Sequence, residues 1–153
     1  HPLIFRLLEQ HCGMVEITSY VGVNDLPFGS SYDDVVSVFG EPVKVRESRN
    51  GWKKLNYDDF IVSFDPDSAG FGEFTLLPET RAKLNGELIG WDYGFLRTLG
   101  QLQESVGFLV SFEFGIAVAG FHDGDQSGKS IHALRRGLWD SDLDRMTPFE
   151  VSC

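Results

Sequence analysis

A chain of 153 residues that is 42% hydrophobic, with 13 Phe and 3 Trp, carries enough apolar surface for one packed domain and is not a disordered one. Acidic residues outnumber basic ones 23 to 13, and the formal net charge of −10 sets up a field that repels nucleic acid and anionic membranes while attracting basic partners. Cys12 and Cys153 stand near the two ends, far from any metal-ligand spacing; two reduced thiols are expected, with no structural zinc and no cofactor.

Residues 1–13 hold the apolar run Leu3-Ile4-Phe5, interrupted by Arg6. It is too short and too broken to span a membrane, and Met14 reads as an original start, so 1–13 are taken as an extension outside the fold. Val15, Ile17, Ser19 and Val21 alternate loosely as a strand would, and 24–29 form a turn. The next segment is sharply bounded. Ser30 or Ser31 caps a helix, Asp33 and Asp34 occupy its first turn, Val35, Val38 and Phe39 share a face, and Gly40 and Pro42 end it.

Strand-like patterning follows. Val43–Glu47 and Trp52–Tyr57 are joined through Asn50-Gly51, a strong hairpin signal; Phe60–Phe64 and Glu73–Leu77 are further strands around an Asp/Pro/Gly loop. Arg81–Ile89 suits a short strand turning at Asn85-Gly86. A second helix is predicted over Tyr93–Val106, where Leu96, Leu99, Leu102 and Val106 recur at helical spacing and Gly107 is the stop. Phe108–Phe112, Gly115–Phe121 and Ser130–Arg135 read as strands, and 140–153 as an acidic surface tail. The run Phe60–Asp65 is echoed by Phe108–Glu113, and Ala69-Gly70-Phe71 by Ala119-Gly120-Phe121, which allows two related lobes at 14–90 and 91–139.

No stretch carries a complete catalytic signature. Gly124–Ser130 ends in Gly-Lys-Ser but has Asp123 where a phosphate loop needs Gly, and a strand pattern follows it. The same loop starts like a calcium loop, yet its twelfth position is Leu134 instead of a bidentate Glu. His122 and His132 have no nucleophile elbow beside them. What remains is binding chemistry: paired carboxylates at turns, with Trp52, Tyr57, Trp91, Tyr93 and Trp139 flanking strand ends, a combination that suits a protein interface.

Phe28-Gly29-Ser30-Ser31 through Gly40-Glu41-Pro42 resembles the Gly-x-Ser/Thr-x-x-Asp/Glu-Val…Gly-x-Pro helix of small bacterial helix-plus-sheet domains. These include the outer-membrane assembly lipoproteins of the SmpA/BamE type, the β-lactamase-inhibitor protein and small immunity (antitoxin) proteins. The resemblance spans about fifteen residues and implies no catalytic residues. It implies an α+β fold, an antiparallel sheet packed by one short and one longer helix, as a single domain over 14–139. Taken with the acidic charge, the aromatic turns and the broken apolar run, it points to a cytoplasmic, non-enzymatic immunity protein that occludes the active site of a basic, nuclease-like toxin, with neither nucleic-acid binding nor membrane insertion expected. Trp52, Tyr57, Asp58, Asp59, Asp65 and Asp67, placed around one hairpin, are the expected contact residues. The alternatives are an envelope or periplasmic interaction module and an enzyme with an unrecognised site.

Overall fold

The computed structural model describes residues 14–67, 69–122 and 128–152. In chain order the elements are β1 (Val15–Thr18), β2 (Gly22–Val23), β3 (Leu26–Pro27), α1 (Tyr32–Phe39), β4 (Lys44–Glu47), β5 (Lys53–Asn56), β6 (Phe60–Phe64), β7 (Phe71–Leu76), β8 (Ala82–Leu84) and β9 (Glu87–Leu88). After a 3₁₀ turn at Tyr93–Thr98 come β10 (Leu102–Ser105), β11 (Phe108–Ser111), β12 (Ile116–Ala119) and β13 (Ser130–Leu134), then a second 3₁₀ turn at Asp140–Arg145 and β14 (Thr147–Phe149).

The expected helix-packed α+β architecture is not what forms. Strands hold 39% of the described residues against 16% helical, and α1 is the one helix longer than six residues among those described. The helix predicted over Tyr93–Val106 stops after the six residues of the first 3₁₀ turn. Gly100 takes φ +70°, which a right-handed helix excludes, and Leu102–Ser105 pairs with β11 on one side and β14 on the other. The leucine spacing is genuine, but Leu96, Leu99 and Leu102 reach the core from two different elements. Where an aperiodic acidic tail is expected, Asp140–Arg145 forms the second 3₁₀ turn and Thr147–Phe149 lines the sheet edge; residues 1–13 and Asp123–Ser127 lie outside the described residues.

The first helix does form as its caps dictate. Ser31 Oγ accepts from the Asp34 N–H (3.2 Å), Asp34 Oδ2 accepts from the Ser31 N–H (3.4 Å), and Gly40 closes the other end at φ +85°.

Two four-stranded meanders, β4–β7 and β10–β13, meet edge to edge through the antiparallel pair β7·β13, and β14 adds a ninth strand beyond β10. The echoed segments do not hold equivalent places in them: β6 is third in its meander, β11 second. A smaller sheet, ordered β3-β2-β1-β8-β9, pairs β1 with β8 in parallel.

Strand alternation sorts the large sheet into two faces. On one face Leu55, Val62, Phe74, Ala133 and Ile116 stand in a single cross-strand row. There they meet α1 (Val35, Phe39) and the small sheet (Ile17, Val23, Ala82, Leu84) in one core. The opposite face is covered over β11–β13, where Leu138, Trp139 and Met146 pack on Val110, Ala117 and Leu134. Over β5–β7 it is polar: Lys54, Ser63 and Glu73 stand in register across three strands.

Candidate functional site

The six expected contact residues separate into two groups at opposite ends of β5. Trp52 precedes the strand and Tyr57 follows it, about 16 Å apart at the rise of an extended chain. At Trp52's end, the β6–β7 connection brings Asp65 and Asp67. Asp65 is unsuited to a partner: it is 2% exposed, accepts from Arg135 Nε (2.5 Å) and from the Asp67 N–H (2.9 Å). Asp67 itself is exposed.

At the other end, Tyr57, Asp58 and Asp59 come together with Glu41 around a pocket of about 180 Å³ whose apolar lining includes Phe39 and Phe60. Tyr57 stacks on Phe60 (ring centroids 4.9 Å) and Phe60 on Phe74 (4.8 Å), so the pocket floor is continuous with the core. The Tyr57 hydroxyl donates to the Gly40 carbonyl (2.8 Å), tying the turn to the end of α1. Burial, reinforced by Tyr32 and Glu41 nearby, pushes its pKa up to about 12. The β5–β6 turn is held from outside as well, since the Asp59 carbonyl accepts from Thr80 Oγ1 (2.9 Å) and from the Leu77 N–H (3.0 Å). The carboxylates of Asp58 and Asp59 stay exposed. Among the described residues, three carboxylates and no basic side chain line this pocket.

A second, larger cleft of about 540 Å³ lies on the polar face, between the β4–β5 hairpin (Asn50, Trp52) and the covering segment (Trp139, Asp142), with Lys54 and Glu73 at its base. Glu73 is the best-organised group in it. Its Oε2 contacts His132 Nδ1 (3.1 Å) and accepts from Thr75 Oγ1 (3.4 Å). Burial pushes the carboxyl up, but the bond and charge of His132, with Lys54 and Thr75, outweigh it and hold Glu73 below the usual carboxylate range. With its proton on Nδ1, His132 donates to Glu73 and accepts the Ser130 hydroxyl at Nε2 (2.9 Å).

This Ser–His–Glu chain has the connectivity of a proton relay, yet neither Ser130 nor His132 lines the cleft. Phe108 packs edge-on against His132 (5.5 Å) and Trp139 packs on Phe108 (5.7 Å). The chain therefore orients Glu73 from the side, on the neighbouring strand. His122 is separate: its Nε2 meets Glu104 Oε2 (3.1 Å), and its buried Nδ1 has no partner among the described residues.

Lys54, Glu73 and His132 converge only through strand pairing, which sequence spacing does not reveal. The available signal was Glu73 itself, one carboxylate inside the apolar run 71–77. No group of three or more His, Cys, Asp or Glu side chains suited to a metal ion occurs among the described residues. No described helix is long and apolar enough to cross a membrane. No protein family, curated protein or solved structure matches the chain.

Proposed function

We propose that this chain is a non-enzymatic binding protein whose acidic, aromatic-floored pocket at Tyr57, Asp58 and Asp59 receives a basic side chain from a protein partner. The observation that carries this is the lining itself: Glu41, Asp58 and Asp59 around Phe39, Tyr57 and Phe60, with no cation among them. Such a pocket suits the alkyl stem and charged head of Lys or Arg, and the net charge of −10 speeds the approach of a basic protein. An immunity protein that occludes the active site of a toxin, nuclease-like and met in the cytoplasm, is the form of this function that the resemblance of the helix segment suggests. Trp52 and Asp67, at the far end of β5, belong to this contact only if the partner spans the whole strand.

The test is a pull-down with a salt series, comparing the wild-type chain with the double variant Asp58→Lys/Asp59→Lys. A single basic partner, released as salt rises, lost by the variant and toxic when expressed alone, supports the proposal. Equal capture by the two proteins at low salt would remove the pocket from the interface.

A further inference from the structure

We infer that the cleft between Trp52 and Trp139 is a binding site for an oligosaccharide. Trp52 packs against neither cluster of core residues, unlike Trp91 and Trp139, although its side chain is half-buried. An indole is a large apolar group, and this one lies along a cleft wall instead of in the interior. Across the cleft stands Trp139, held by Phe108.

Between the two indoles the base is hydrophilic. Among the described residues Glu73 uses Oε2 for both of its hydrogen bonds, which leaves Oε1 for the cleft, and its bonds to His132 and Thr75 fix the carboxylate in place. Lys54 lies two strands away on the same row, and between them Ser63 is buried with no partner for its hydroxyl among the described residues. Asn50 and Asp142 add an amide and a carboxylate at the rim.

Acceptors, donors and two indoles in one cleft match a pyranose ring, which offers apolar C–H faces together with hydroxyls that both donate and accept. A strongly anionic ligand would meet Glu73 and Asp142, and a cation would meet Lys54. Trp139 and Asp142 also line a neighbouring cleft of about 750 Å³ that reaches the β10–β11 hairpin at Glu104–Gly107. Two clefts side by side on one face favour a chain of sugar units over a single one. None of the four cleft groups Trp52, Lys54, Glu73 and Trp139 lines the acidic pocket, so this inference stands apart from the proposed protein contact.

The test is a titration with maltotriose, cellotriose and triacetylchitotriose, read from the indole N–H signals of the three tryptophans by ¹H–¹⁵N NMR. Trp91 is an internal reference, because its Nε1–H is already bound to the Thr80 carbonyl (2.9 Å). At least one sugar should move the Trp52 and Trp139 signals saturably and leave Trp91 in place. Trp52→Ala, which spares both core clusters, should weaken that binding about tenfold or more, and Asp58→Lys/Asp59→Lys should leave it unchanged. Silence of Trp52 and Trp139 toward all three sugars at millimolar concentration would overturn the inference. So would unaltered affinity in Trp52→Ala.

Discussion

Arg135, at the end of β13, closes over Asp65, at the end of β6, with Arg135 Nε donating to Asp65 Oδ2 across the central seam of the large sheet. The two residues are 70 positions apart, and the carboxylate is 2% exposed. Removing the guanidinium leaves a buried anion. Arg135→Ala should therefore destabilise the protein by about 3 kcal/mol, while Asp65→Asn/Arg135→Met together should lose clearly less. Urea midpoints at unchanged slope would check this; equal losses for the single and the double variant would mean the pair is not coupled.

Glu73 ties stability to acid. Its carboxyl is held below the usual range in the folded state, so the stabilisation is present above the unfolded pKa near 4.5 and is lost as the pH falls through the lower folded value. Thermal melts should show a wild-type decline from about pH 5 downward that Glu73→Gln flattens. The same decline in both proteins would assign it to other carboxylates.

Tyr57 makes the opposite prediction at alkaline pH. A phenol raised to about 12 stabilises the fold fully below its ordinary value of 10.0, and that contribution disappears as the pH climbs toward the raised value. Absorbance titration at alkaline pH should place one tyrosine near 12 that is missing in Tyr57→Phe. The variant should also lose about 1 kcal/mol with the bond to the Gly40 carbonyl.

Val106 is strained. It sits at φ +44° beside Gly107 at +86° in a two-residue hairpin loop closed by Ser105 and Phe108, and its side chain is 92% exposed. A β-branched residue is poorly tolerated there, where Asn-Gly is the preferred pair. Val106→Asn should raise stability by about 1 kcal/mol, since no packing is given up. An unchanged or lowered melting temperature would count against the strain.

The local features were legible and the assembly was not. Ser31, Asp34 and Gly40 specify α1 through caps that need no distant partner, and the β-branched and aromatic residues of 60–64 define β6 to the residue. The hairpin at Asn50-Gly51 was also readable, although Gly51 alone takes the left-handed conformation, in a loop one residue longer than the tightest turn. Helical spacing at Leu96, Leu99 and Leu102 misled, because strand pairing on both sides of β10 outweighs local periodicity. The contact residues were grouped by nearness to one hairpin. A strand has two ends, and β5 carries Trp52 and Tyr57 to different ones.

The seam between the two meanders also bears on how fast the chain acquires its structure. Within the meanders all successive strands but β12 and β13 are joined by connections of two to six residues, and such hairpins close in about microseconds. Thr75 and His132, which face each other across β7·β13, are 57 residues apart. Bringing them together requires closure of a long loop before any stabilising contact forms, and a topology dominated by such pairings folds slowly. The rate-limiting barrier is accordingly expected at the joining of two partly formed halves, with β7 and β13 as the last open edges.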